Sequence, residues 1–199
     1  MSTLRVIIDG ARTAAENMAI DAELLEKAKR EGAQPVLRFY GWAEPSYTVG
    51  YFQDPAHFAR LGMPVAKRPT GGGAVLHGDD LTFSLAIHMP FAPLAGAVRD
   101  SYLKINLILL NAFKPLLPGL DFADCKSLPS GRASRADVCF EKPACYDLML
   151  KGKKMVGSSQ RRSGSAMLYQ SSVFFPLERS EARSLIGRSF ASAWGLSLQ

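Results

Sequence analysis

The chain has no apolar run long enough to cross a bilayer. Its best stretch, Ile105 to Leu110, is interrupted by Asn106 and closed by Asn111, far short of the roughly 20 residues a membrane-spanning helix needs. The opening MSTLRVIIDG lacks the apolar stretch and small-residue cleavage site of a secretory signal, so the expected setting is the cytoplasm, with no membrane. Cysteine is scarce: Cys125, Cys139 and Cys145 form an odd count with no CxxC pair, which argues against a zinc ribbon or a disulfide framework. Free thiols are expected, and a cysteine that matters is expected to be reactive rather than structural. Internal repeats, low-complexity tracts and domain linkers are also missing. With 199 residues, 47% hydrophobic and 21% charged, disorder is excluded and one domain over residues 1–199 is expected.

Acid is the minority charge. Lys and Arg number 24 against 18 Asp and Glu, a net charge of +6. Such a surplus suits an acidic or phosphorylated partner, and equally suits plain solubility. One segment concentrates it: Lys151 to Arg162 holds Lys151, Lys153, Lys154, Arg161 and Arg162 and no acid. No basic-aromatic interleaving accompanies the charge, so nucleic acid is not expected as a partner.

Periodicity predicts helices and strands in an α+β order. Arg5–Asp9 reads as a strand. Thr13 and Glu16 form a capping box opening a helix to about Arg30, with Met18, Ala22 and Leu25 on one face. Strands follow at Pro35–Tyr40, Ser46–Tyr51, Pro64–Lys67, Ala74–His77 and Leu81–His88. The last alternates Leu81, Phe83, Leu85 and Ile87 against Thr82, Ser84 and His88. A second helix is predicted over Val98–Leu116, then a loop over Pro118–Arg135. Strands near Asp137–Phe140, Tyr146–Leu150, Lys154–Ser159 and Ala166–Phe175 precede a last helix, opened by Ser180 and carrying Leu185, Ile186, Phe190 and Trp194.

Three segments carry chemistry. In Arg68-Pro69-Thr70-Gly71-Gly72-Gly73-Ala74-Val75-Leu76-His77, the glycines read either as a tight hairpin or as backbone shaped to receive a carboxylate, thioester carbonyl or phosphate beside Arg68. No GK[ST] follows and no GxGxxG is present, which excludes a Walker loop and the dinucleotide fingerprint. His77 alone fits a sheet histidine as well as a catalyst. In Gly152–Arg162, a turn at Gly152-Lys153 delivers Lys154, either an exposed edge lysine or a cation for a carbonyl, phosphate or thiol. Cys139, in a short strand before Pro143, reads as a small hydrophobe or, beside Lys154, as a nucleophile.

The order and wording of Leu37-Arg38-Phe39-Tyr40-Gly41-Trp42, Gly50-Tyr51-Phe52-Gln53, Arg68–His77 and Gly152–Gln160 resemble the lipoate/octanoate attachment family. That family includes lipoate–protein ligases, octanoyltransferases and, more distantly, biotin–protein ligases; the resemblance runs from about residue 4 to residue 175. The wording of Arg68–His77, with Cys139-Phe140, Pro143, Tyr146 and Asp147, is most similar to cysteine-dependent octanoyl-[acyl-carrier-protein]:protein N-octanoyltransferases.

The resemblance implies a fold of mixed, mainly antiparallel sheets packed with helices, as in the biotin/lipoate protein ligase catalytic domain. It implies transfer of an octanoyl group from acyl carrier protein to a lysine of a lipoyl-accepting domain, either the glycine-cleavage H protein or a 2-oxoacid dehydrogenase E2. Cys139 would carry the thioester and Lys154 would favour its thiolate. Arg68, Gly71, Gly72, Gly73 and His77 would line the acyl and carbonyl end, with Ser158 beside it. No metal or cofactor is implied. The competing readings are an ATP-dependent lipoate–protein ligase, which would take ATP and lipoate, and a non-catalytic acyl or carrier-protein binding module.

This sequence departs from the pattern in four places. Members of that branch are usually longer, which leaves two readings, a truncated C-terminal segment or a natural short form. His77 is followed by Gly78-Asp79-Asp80 rather than directly by aspartate. Gly73 stands where a larger residue is frequent, and Cys145 lies close enough to Cys139 to compete for the nucleophile's role.

Overall fold

The computed structural model describes residues 3–126, 140 and 143–199. Strand β1 (Thr3–Arg12) runs into helix α1 (Ala14–Lys27). The join is the expected capping box: the Thr13 hydroxyl accepts the Glu16 N–H at 3.3 Å and the Glu16 carboxylate accepts the Thr13 N–H at 3.0 Å, satisfying two donors that helix geometry leaves unpaired. The helix stops at Lys27, one turn short of the expected Arg30. Then come β2 (Val36–Trp42), β3 (Ser46–Val49), a single turn α2 (Ala56–Ala59), β4 (Val65–Lys67), β5 (Val75–His77) and β6 (Leu81–His88). Helix α3 (Val98–Phe113) is followed by β7 (Asp121–Phe122), inside the stretch expected to be loop. The chain closes with β8 (Leu148–Leu150), β9 (Lys153–Ser163), β10 (Ala166–Val173), α4 (Arg179–Trp194) and β11 (Ser197–Leu198). The strand expected over Asp137–Phe140 lies outside the described residues except for Phe140, which is in a turn. The β8–β9 turn sits on Lys151 and Gly152, both at positive φ (49° and 76°), one residue earlier than expected. Two positive φ values are what a two-residue hairpin needs to follow the strand twist.

Among the described residues the strands form two sheets. The larger has the order β11-β1-β2-β6-β10-β9-β8-β7 and the smaller β4-β3-β5. The β1–β11, β1–β2 and β3–β4 pairs are parallel and the others antiparallel. Helices α3 and α4 cover one face of the large sheet, where Phe83, Leu85 and Ile87 of β6 meet Ile105, Leu109, Ile186 and Phe190 in the main core. Helix α1 and the small sheet cover the other face. The alternation in β6 therefore separates two interiors, not core from water. Thr82 and Ser84 are buried, and hydrogen-bonded partners offset the cost of removing them from solvent.

Those partners form a buried polar layer under α1. Asp21 is fully buried and pairs with Arg38 at 2.9 Å. It also accepts Tyr40 Oη, Ser84 Oγ and Gln170 Nε2 at 2.9, 2.8 and 2.7 Å. Burial pushes its carboxyl up; Arg38 and the three hydrogen bonds pull it back without cancelling the rise. No helix among the described residues is long and apolar enough to cross a membrane.

Candidate active site

The site lies where the small sheet meets the polar face of β6, β10 and β9. Arg68 follows β4 and is buried. Its guanidinium donates to the Gly71 carbonyl at 2.6 and 3.1 Å, the Gly73 carbonyl at 2.6 Å and the Thr48 carbonyl at 3.0 Å. Arg68 thus shapes the glycine loop from beneath, and its planar fork suits several fixed acceptors. Gly72 takes φ 89°, and a Cβ on Gly50 would lie 2.0 Å from the Gly72 carbonyl oxygen. Two glycines in different segments therefore permit one close approach of backbone to backbone. Thr70 Oγ1 bridges to Gln170 Oε1 at 2.6 Å and Ser159 Oγ at 2.7 Å, tying the loop to the large sheet and, through Gln170, to Asp21.

His77 stacks on Trp42 with centroids 3.9 Å apart. Its Nδ1 meets Asp80 at 2.8 Å and its Nε2 meets Thr48 Oγ1 at 2.8 Å. With both ring nitrogens engaged, His77 serves as a wall held in one orientation. Asp80 also accepts from Thr82 and Ser172, each at 2.6 Å, and Trp42 Nε1 donates to Thr82 at 2.8 Å.

Arg68, His77, Trp42 and Thr82 line a narrow slot of about 30 Å³, together with Met18, Tyr40, Val75, Ser158 and Gln170 among others. Its long axis can be placed by strand register. Gly157, Ser172 and Thr82 lie level across β9, β10 and β6, while Ser159, Gln170 and Ser84 lie two residues further along, about 7 Å away. The Gly157 end adjoins Lys154: a Cβ on Gly157 would approach Lys154 Cε at 3.3 Å and the Phe140 ring at 2.8 Å. The Gln170 end is closed by Met18, whose sulfur takes Gln170 Nε2 at 3.5 Å. Ser158 lies between, its hydroxyl 3.1 Å from that of Ser171.

Lys154 is buried, which removes the reading of an exposed edge lysine. Its Nζ lies 2.7 Å from Asp147 Oδ2, with side-chain exposures of 2% and 1%, and 5.3 Å above the Phe140 ring. Asp147 is further held by Tyr102 Oη and the Ala144 N–H, both at 2.6 Å. A buried pair is tolerated when additional hydrogen bonds complete the carboxylate in this way. Sequence reasoning took Asp147 only as part of a family wording and gave it no role. The signal available was an acid before β8, seven positions ahead of Lys154 across a tight hairpin.

Cys139, the expected nucleophile, lies outside the described residues. The expectation of free thiols is corrected for the other two: Cys125 and Cys145 form a disulfide with Cα atoms 4.8 Å apart. The β7–β8 pairing and the Ala123 N–H to Asp147 carbonyl bond at 2.8 Å bring these segments together. Cys145 is therefore not a competing free thiol. The basic segment is also partly spent on the protein itself. Arg161 donates to the Pro69 carbonyl at 3.1 Å and lies over Tyr51, and Arg162 donates to the Gly96 carbonyl at 2.8 Å. No cluster of three or more His, Cys, Asp or Glu among the described residues is placed to hold a metal.

Comparison with known proteins bears on the chemistry. The family described as lipoyl protein ligase A/B catalytic domain matches residues 13–192. Octanoyltransferase LipM of Carboxydothermus hydrogenoformans is 39% identical over 184 residues, covering 89% of this chain and 67% of its own. Octanoyltransferase LipM of Bacillus subtilis is 35% identical over 189 residues, covering 88% and 66%. The chain thus spans about two thirds of the length of these curated relatives. A crystal structure of lipoate-protein ligase A bound with ATP superposes with a TM-score of 0.72 at 20% identity, covering 100% of this chain and 88% of that one. At that identity the likeness is one of fold.

Proposed function

Because the chain belongs to the lipoyl protein ligase A/B catalytic domain family, we propose that it transfers a medium-chain acyl group, octanoyl, from a carrier-protein thioester to a lysine of a lipoyl-accepting domain. The observation that carries this reading is the buried Lys154–Asp147 pair, which adjoins the Gly157 end of a narrow slot that Met18 closes at the other end. The relatives at 39% and 35% identity are octanoyltransferases, which favours transfer over ATP-dependent ligation.

In the proposed course, the Cys139 thiolate attacks the donor carbonyl. The carbon–sulfur bond to the carrier breaks and the carrier leaves as thiolate. A neutral acceptor lysine then attacks the acyl-enzyme, loses a proton as the amide forms, and releases the Cys139 thiolate. A thioester is already activated, so neither step requires ATP. Lys154 supplies the cation that favours thiolate over thiol, and Asp147 is the positioning residue that fixes its ammonium. Backbone N–H groups of the glycine loop or near Lys154 would stabilise the oxyanion. The glycine-cleavage H protein or a 2-oxoacid dehydrogenase E2 domain is the expected acceptor, and the cytoplasm the expected setting.

The test is transfer from octanoyl carrier protein to a lipoyl-accepting domain without ATP, beside a parallel reaction with lipoate and ATP. Modification of the acceptor only in the first reaction, lowered at least ~100-fold by Lys154→Ala, supports the reading. Acceptor lipoylation that needs ATP and proceeds normally in Cys139→Ser would replace it with the ligase.

A further inference from the structure

A second hollow opens beside the slot. Pro45, Met63, Leu76 and Gly78, from the small sheet and its loops, face Phe140 and Phe174 across about 420 Å³. Leu76 and Met63 are 41% and 37% exposed, so two large apolar side chains stand open to solvent in one concavity. The hollow meets the slot at His77, which lines both. Phe140 forms the rest of the boundary, packed against the backbone of Gly157 and beneath the Lys154 ammonium. A carbonyl held beside Lys154 therefore has the narrow slot on one side and a much roomier, largely apolar hollow on the other.

A substrate with its reactive bond in the middle and a long arm on each side fits that arrangement. We infer that the hollow takes the thiol-side arm of the donor, an extended, uncharged pantetheine-type chain, whose methylene and gem-dimethyl groups pack on Leu76, Met63 and Phe174 while its amides face the open rim. The inference rests on the acyl-transfer reading and names the part of the donor that reading leaves unplaced. The competing occupant is the acceptor lysine, but its short stem would leave most of the hollow unfilled. The acidic side chain lining the hollow, Asp79, is exposed at the rim, so the interior between the two phenylalanines carries no charge that would select an amine.

The experiment uses two donors: octanoyl-pantetheine, and S-octanoyl-N-acetylcysteamine, which keeps the thioester and lacks the outer arm. Leu76→Glu is assayed for acyl-enzyme formation with each donor, and separately for transfer from preformed acyl-enzyme to the acceptor. The expected result is a KM for octanoyl-pantetheine raised about 10-fold, consistent with losing one apolar contact. KM for the truncated donor and the acceptor step stay unchanged, and Met63→Glu, on a loop, gives the same pattern if Leu76→Glu folds poorly. Equal effects on both donors, no effect on either, or an effect confined to the acceptor step overturns the assignment, the last giving the hollow to the acceptor lysine. Absence of acyl-enzyme in the wild type with either donor would instead remove the acyl-transfer reading and this inference with it.

Discussion

Asp80 draws four donors onto one buried carboxylate: His77, Gly78, Thr82 and Ser172. Burial alone would push its carboxyl up, but the hydrogen bond and charge of His77, followed by the bonds from Ser172 and Thr82, hold it down at about 2. A carboxyl lower in the folded than the unfolded chain adds stability that is fully present above its ordinary value of 3.8 and is lost as pH falls towards 2. That difference corresponds to about 2 kcal/mol. Urea unfolding at a series of acidic pH values is therefore expected to show wild type losing about 2 kcal/mol more than Asp80→Asn between about pH 5 and pH 2. Parallel pH profiles for the two proteins would show that the Asp80 cluster contributes no such dependence. The sequence offered Asp80 only as part of a Gly78-Asp79-Asp80 departure after His77. Its partners come from β6 and β10, and a hydrogen-bond cluster assembled across three segments leaves no local pattern. Asp147 escaped notice for the same reason, since its value lies in Lys154 and Tyr102.

Elements were more legible than clusters. The Thr13–Glu16 box and the alternation of Leu81–His88 are each written in consecutive residues, and each appears in the structure. What covers the polar side of that alternation was not legible, because periodicity reports two faces without saying what packs on them. Short pieces such as β7 and β11 have too few residues for any period. The glycine loop depends on an element outside itself: Gly50, just past β3, must pass under Gly72 with no side chain. The obstruction is backbone, so no rotamer change relieves it. Gly50→Ala is expected to cost about 3 kcal/mol of folding stability, read as a lower urea midpoint with the slope unchanged. A change below ~0.5 kcal/mol would mean that the loop yields freely and is not held by this contact.

At the scale of the whole molecule, the large sheet separates an apolar core under α3 and α4 from a polar, hydrogen-bonded layer under α1, and the slot lies in the second. The net charge of +6 did not locate a binding face, because Arg38, Arg68, Arg161 and Arg162 are turned onto the protein's own acceptors. The disulfide was likewise illegible, since three cysteines allow three pairings and only the β7–β8 contact selects one. Family and fold were legible from four short segments taken in order. The most direct test of the account is intact-protein mass spectrometry after mixing the chain with octanoyl carrier protein without ATP, with wild type run beside Cys139→Ala and Cys145→Ala. An octanoyl adduct that hydroxylamine removes, absent in Cys139→Ala and retained in Cys145→Ala, is the predicted result. No adduct on the wild type, or one that survives in Cys139→Ala, would contradict the thioester mechanism.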